Sequence, residues 1–171
     1  MHSDRACLLT WTVYGTFLPG DDRGWRHRSQ GQRQAEPELK RWCERQLKHP
    51  VLLLDLSARD CVERAVRDKC RARGWRCFGV AARSNHVHGV VWAGTDDPKN
   101  VRDQLKAMAT SRLRQMDPRY RDREVWTSKG DIEWLRDEEA IANAVMYVEF
   151  AQDRKGRELG GERSSPLRCD G

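Results

Sequence analysis

No stretch of 18 apolar residues occurs in the 171-residue chain, so no membrane-spanning helix of ordinary length is expected. No leader profile of basic, apolar and small residues precedes the first strand-like segment. There is no internal repeat. The six cysteines (Cys7, Cys43, Cys61, Cys70, Cys77 and Cys169) contain no C-x-x-C pair. Neither a disulfide framework nor a cysteine zinc site is therefore expected. Four of the six fall at apolar-periodic positions, where a free thiol behaves as a small hydrophobe. These absences lead to the expectation of a reduced, cytoplasmic protein.

Charge is what the chain has in plenty. Charged residues make up 34%, with 32 Lys+Arg against 26 Asp+Glu, a net charge of +6 and a pI near 9.2. Most of the basic residues are arginine, whose planar fork suits bidentate contact with phosphate. A basic domain of this size is compatible with nucleic acid and equally with a solvated surface. Seven tryptophans supply large pieces of core.

Residues 7–14 (CLLTWTVY) are β-branched and aromatic and predict a first strand. Residues 16–50 form a long insertion. Its first part is charged and aperiodic, and a short helix follows over 38–49 with Leu39, Trp42, Cys43 and Leu47 on one side. Ser57 predicts the N-cap of a helix whose stripe is Cys61, Val62, Ala65, Val66 and Cys70, ending at Gly74. Residues 75–82 and 85–92 predict a hairpin, and 98–116 a helix with Val101, Leu105, Met108, Ala109, Leu113 and Met116 inward. Lys99, Arg102, Lys106, Arg112 and Arg114 fall on its other faces. A short strand over 132–135 and a helix capped near Asp137 and running to about residue 152 close the domain. Residues 153–171 are Gly-, Arg- and Ser-rich and predict a disordered basic tail. The order corresponds to an α+β, ferredoxin-like split β-α-β fold, an antiparallel sheet with helices on one face.

Within the 85–92 strand stands "NHVHGVV". Side chains alternate along a strand, so His86 and His88 share one face while Val87 takes the other. At roughly 6–7 Å apart by strand rise, two imidazoles can share a divalent cation. They can equally be half-buried histidines satisfied by their neighbours. A second element is needed to decide. In the closing helix (AVMYVEFAQD), Ile141, Ala144, Val145 and Val148 make an apolar stripe with Tyr147 at its border. Paired histidines, a basic chain and a late helical tyrosine together point to metal-assisted phosphoryl transfer with a tyrosine nucleophile.

Three stretches, "LTWTVYGTFLP", "SNHVHGVV" and "WLRDEEAIANAVMYVEFAQDRKG", in that order, resemble the single-tyrosine HUH transposases, especially the REP-associated tyrosine transposase branch. The resemblance implies a single catalytic domain over residues 1–152 and a prokaryotic, nucleoid-associated enzyme. It implies Mg²⁺ or Mn²⁺ held by His86 and His88, with Tyr147 as the nucleophile. It further implies single-stranded, hairpin-forming DNA as substrate, cleavage to a 5′-phosphotyrosine and a free 3′-OH, and a possible homodimer. In such proteins a Gln or Asn four residues after the tyrosine can be the third ligand. Here that position is Ala151, and the nearest glutamine is Gln152. At about 100° per residue, Gln152 stands about 140° from Tyr147 on an α-helix, so its use as third ligand requires a π-bulge or a frayed end. Candidate DNA contacts are Arg83, Lys106, Arg112, Lys129, Arg26 and, for base stacking, Trp25. The alternative is a nucleic-acid-binding module of the same fold without chemistry.

Overall fold

A computed structural model describes residues 5–151. Four strands form one antiparallel sheet: β1 (Ala6–Thr12), β4 (Arg76–Ala82), β5 (His86–Trp92) and β6 (Asp131–Leu135), in the order β4-β5-β1-β6. With α2 (Leu56–Arg73) between β1 and β4, and α3 (Pro98–Met116) between β5 and β6, this is the expected split β-α-β arrangement.

Alternation along β1 and into the residue after it sends Cys7, Leu9, Trp11 and Val13 into the main core. There they meet Val87 and Val91 of β5, the α2 stripe (Ala58, Cys61, Val62, Ala65, Val66, Cys70) and Val101, Leu105, Ala109 and Leu113 of α3. Each fully buried Val or Leu contributes about 1.5–3 kcal/mol, so this face carries most of the stability. The other face is thinner. It is covered by α4 (Glu138–Met146) and a π-helical turn (Tyr147–Ala151), whose Ala144 and Val148 pack with Ala6, Ala81, Val90 and Leu135.

The structure corrects several local expectations. The cap of α2 is Asp55, whose Oδ1 accepts from Ala58 N at 2.9 Å; the Ser57 hydroxyl donates to that same carboxylate at 2.8 Å. The insertion is not wholly irregular, for it holds a hairpin of β2 (Trp25–His27) and β3 (Gly31–Arg33). Its helix α1 (Pro37–Arg45) is shorter than expected and buries no residue, and Trp42 stays 55% exposed. Arg102, assigned by periodicity to a solvent face of α3, is 7% exposed and donates to Asp103 and to the carbonyl of Gly130. The closing helix stops being α at Met146. The 153–171 segment lies outside the described residues, as does Gln152. Among the described residues, no helix is long and apolar enough to cross a membrane.

Candidate functional site

β5 opens on the two histidines, and the sheet register fixes what surrounds them. Thr12 of β1 pairs with His86, and Thr10 pairs with His88; on the other side Ala81 of β4 lies opposite His88. These neighbours are small or hydroxylated, which leaves the imidazoles room to lean together. Their ring centroids are 4.7 Å apart at 89°, closer than the strand rise alone suggests.

Both Nδ1 atoms are occupied. His86 Nδ1 lies 2.6 Å from Asn85 Oδ1, an oxygen that only accepts, so this nitrogen carries the proton. His88 Nδ1 lies 2.8 Å from the Thr10 hydroxyl. Asn85 and Thr10 thus fix the orientation of the two rings, as hydrogen-bond partners commonly do for a ligating histidine. Burial, aided by the positive charges of His86 and Arg83, pushes His88 down to about 3, so it is neutral at ordinary pH. Neutral imidazole is the form that binds metal.

The third component arrives on the closing helix. The Asp137 carboxylate accepts from Ala140 N at 2.7 Å, and Glu138 and Glu139 occupy the first turn, where acidic residues favour the helix dipole. A bulge in β4 between Cys77 and Gly79 bends the strand beneath this helix. Ala144 and Val148 anchor the helix to the sheet, which carries Tyr147 over the histidines. The Tyr147 ring centroid is 5.9 Å from that of His88, at 90°. The tyrosine and both histidines thus meet within one chain.

Among the described residues no group of three His, Cys, Asp or Glu side chains converges here. The donors among the described residues are two imidazoles, that of His88 neutral, and they fit a divalent cation as a partial site. The backbone from Tyr147 to Ala151 is π-helical, the winding that a role for Gln152 requires. In a π turn the residue five positions on, not four, returns to the starting residue's turn.

No family model matches the chain, and no curated protein sequence matches it. Among solved structures, that of a REP-associated tyrosine transposase bound to a REP hairpin matches with probability 1.00 and a TM-score of 0.51, covering 90% of this chain and 70% of that one at 12% identity. The chain shares the fold of that structure.

On this transposase-like fold the remaining candidates fall in different places. Arg83 lies in the turn before β5, its N–H donating to the His86 carbonyl at 2.8 Å, and its charge acts on His88. Lys106 is occupied: its Nζ donates to the carbonyls of Thr127 and Lys129, both at 2.8 Å, and clamps the loop that leads into β6. Burial holds its ammonium below the usual lysine value. Lys129 itself is exposed at a positive φ of 69°. Arg112 pairs with Asp68 of α2 at 3.5 Å, across the sheet from the histidines. Trp25 is 8% exposed and packs edge-on against His27, so its ring has little surface to offer a base; Arg26, next to it, is exposed. Periodicity missed Thr10, because its role comes from strand register across 78 residues.

Proposed function

We propose that this protein is a single-tyrosine endonuclease and strand transferase acting on single-stranded DNA beside hairpins. The observation that carries this reading is the approach of Tyr147 to His88, on the face where Asn85 and Thr10 hold the two imidazoles by their Nδ1 atoms. The hairpin-bound transposase of the same fold supports the substrate class.

In this reading His86 and His88 hold a divalent cation, with Gln152 or water as a further donor. When bound, the cation withdraws charge from a non-bridging phosphate oxygen and stabilises the leaving 3′ oxygen. Two nitrogen donors favour Mn²⁺ over the strictly oxygen-loving Mg²⁺. The Tyr147 phenol attacks phosphorus, forming a P–O bond as the bond to the 3′ oxygen breaks. The phenolic proton passes to solvent, and the 3′ oxygen leaves as a hydroxyl. The phosphotyrosine keeps the energy of the broken bond, so a different 3′-OH can reverse the step. Because Tyr147 and His88 belong to the same chain, the tyrosine and the histidine pair come together without a second copy.

The test uses a set of single strands that fold into imperfect hairpins with single-stranded flanks, with Mn²⁺. The wild type is expected to form a covalent adduct that survives denaturing electrophoresis, and Tyr147→Phe to form none. Cleavage retained in Tyr147→Phe would instead mark a metal-dependent hydrolase. Hairpin binding without any adduct in the wild type would leave the binding module.

A further inference from the structure

Three arginines gather where the segment after α1 meets the segment after α3, and none of them has a carboxylate partner among the described residues. Arg114 donates from Nε to the Tyr120 carbonyl at 3.3 Å and from Nη2 to the Arg123 carbonyl at 3.0 Å. Arg121 donates to the carbonyl of Arg114 at 3.2 Å, and Arg123 to the carbonyls of Glu124 and Pro50. Arg119, two residues before Arg121, is treated differently: Asp55 and Asp117 neutralise it at 2.9 and 2.7 Å. A guanidinium anchored by carbonyls is held in place yet keeps its full charge and its remaining N–H donors.

These side chains line an open groove of about 490 Å³ together with Lys48 and His49. Past Arg114 and Arg121 it continues into a second groove of about 570 Å³, lined also by Thr110, Ser111 and Gln115. Acidic relief is weak. Asp122 and Glu124 share the lining with three arginines, Lys48 and His49, and the one ion pair there among the described residues, Lys48 to Glu124, spans 4.0 Å between largely exposed groups.

The groove lies at the histidine end of the sheet. Val13 N donates to the Asn85 carbonyl at 2.8 Å, and the next residue, Tyr14, reaches the groove. Its hydroxyl accepts from Lys48 N at 2.8 Å, and its ring stands edge-on to His49 at 6.1 Å. Tyr14 follows the level of His86 by two strand residues, roughly 7 Å. None of the exposed large aromatics (Phe17, Trp42, Trp134, Phe150) lines the groove, so its chemistry suits phosphates and not bases.

We propose that this groove carries the phosphate backbone of the DNA as it leaves the histidine face, independently of base sequence. The proposal rests on the nucleic-acid reading given above. The test is fluorescence anisotropy of a labelled hairpin oligonucleotide with single-stranded flanks, titrated with full-length protein at several salt concentrations. Lys48→Gln/Arg121→Gln is compared with wild type and with a control of equal charge, Arg64→Gln/Arg71→Gln, on α2. Thermal melts check that all three are folded. Loss of two phosphate contacts is expected to make the slope of log K against log salt shallower by about 1.4–1.8, equally for a strand of scrambled sequence. The control is expected to keep the wild-type slope. An unchanged slope in the Lys48/Arg121 variant, or an equal change in the control, overturns the groove while leaving the nucleic-acid reading intact. A wild type that binds no strand overturns both. A slope change without any covalent adduct supports the groove and overturns only the catalytic reading.

Discussion

On the α2–α3 face, β1 and β5 present Cys7, Leu9, Trp11, Val13, Val87 and Val91, all nearly sealed from solvent. On the opposite face the same strands present Thr10, Thr12, His86 and His88, all half-buried. Adjacent residues therefore serve different ends. Trp11 meets Trp126 edge-on at 6.2 Å, whereas Thr10 orients an imidazole. A sheet with one sealed face can leave polar, imperfectly packed side chains on the other, because the first face already supplies the stability that such a site forgoes.

The sharpest way to break this contrast is to truncate the sealed side. Trp11→Ala is expected to cost about 3–5 kcal/mol, read as a lowered urea midpoint, and to abolish activity only through unfolding. Acid probes the other side. Burial pushes His88 down to about 3 in the folded chain, against the ordinary 6.5 of histidine, so the unfolded chain binds its proton first. Stability from this group is full above about pH 6.5 and falls as pH drops toward 3, by up to about 1.4 kcal/mol per pH unit. Metal-free melts across that window should show this decline, and His88→Asn should flatten it. Thr10→Val removes the partner of His88 while keeping its shape. Its Mn²⁺ affinity, followed by calorimetry, is expected to drop 10–100-fold with a stability change under about 1.5 kcal/mol. A change in stability with no change in affinity would erase the distinction between the two faces. The smallest effect concerns neither face: Asp55→Ala, which uncaps α2, should cost about 1 kcal/mol in a thermal melt and leave metal binding as it was.

Much of this contrast was legible in the residues. The period of two in "HVHGVVW" placed His86 and His88 together, and the period of 3.6 located α2 and α3 with their buried stripes. What could not be read depends on contacts distant in sequence. Arg102 goes inward because the Gly130 carbonyl, 28 residues away, awaits it. Thr10 acquires its partner from register, which an alternating pattern does not number. The β2–β3 hairpin escaped because three-residue strands are too short to show a period. Asp55 and Ser57 are both good caps two residues apart, and only the backbone's path chooses between them. Whether the closing helix would wind as α or π was likewise left to its packing on the sheet.

From Tyr147 to Ala151 each hydrogen-bonded turn of the helix closes one residue later than in an α-helix, so it absorbs a single-residue insertion without losing its path. Deleting Ala151 makes Gln152 the fourth residue after Tyr147, the place where an α-wound turn comes round to the tyrosine. A helix one residue longer and a helix one residue shorter then become two spellings of the same approach. A deletion of Ala151 that still forms the DNA adduct would be the mark of that equivalence, and one that abolishes it would deny it.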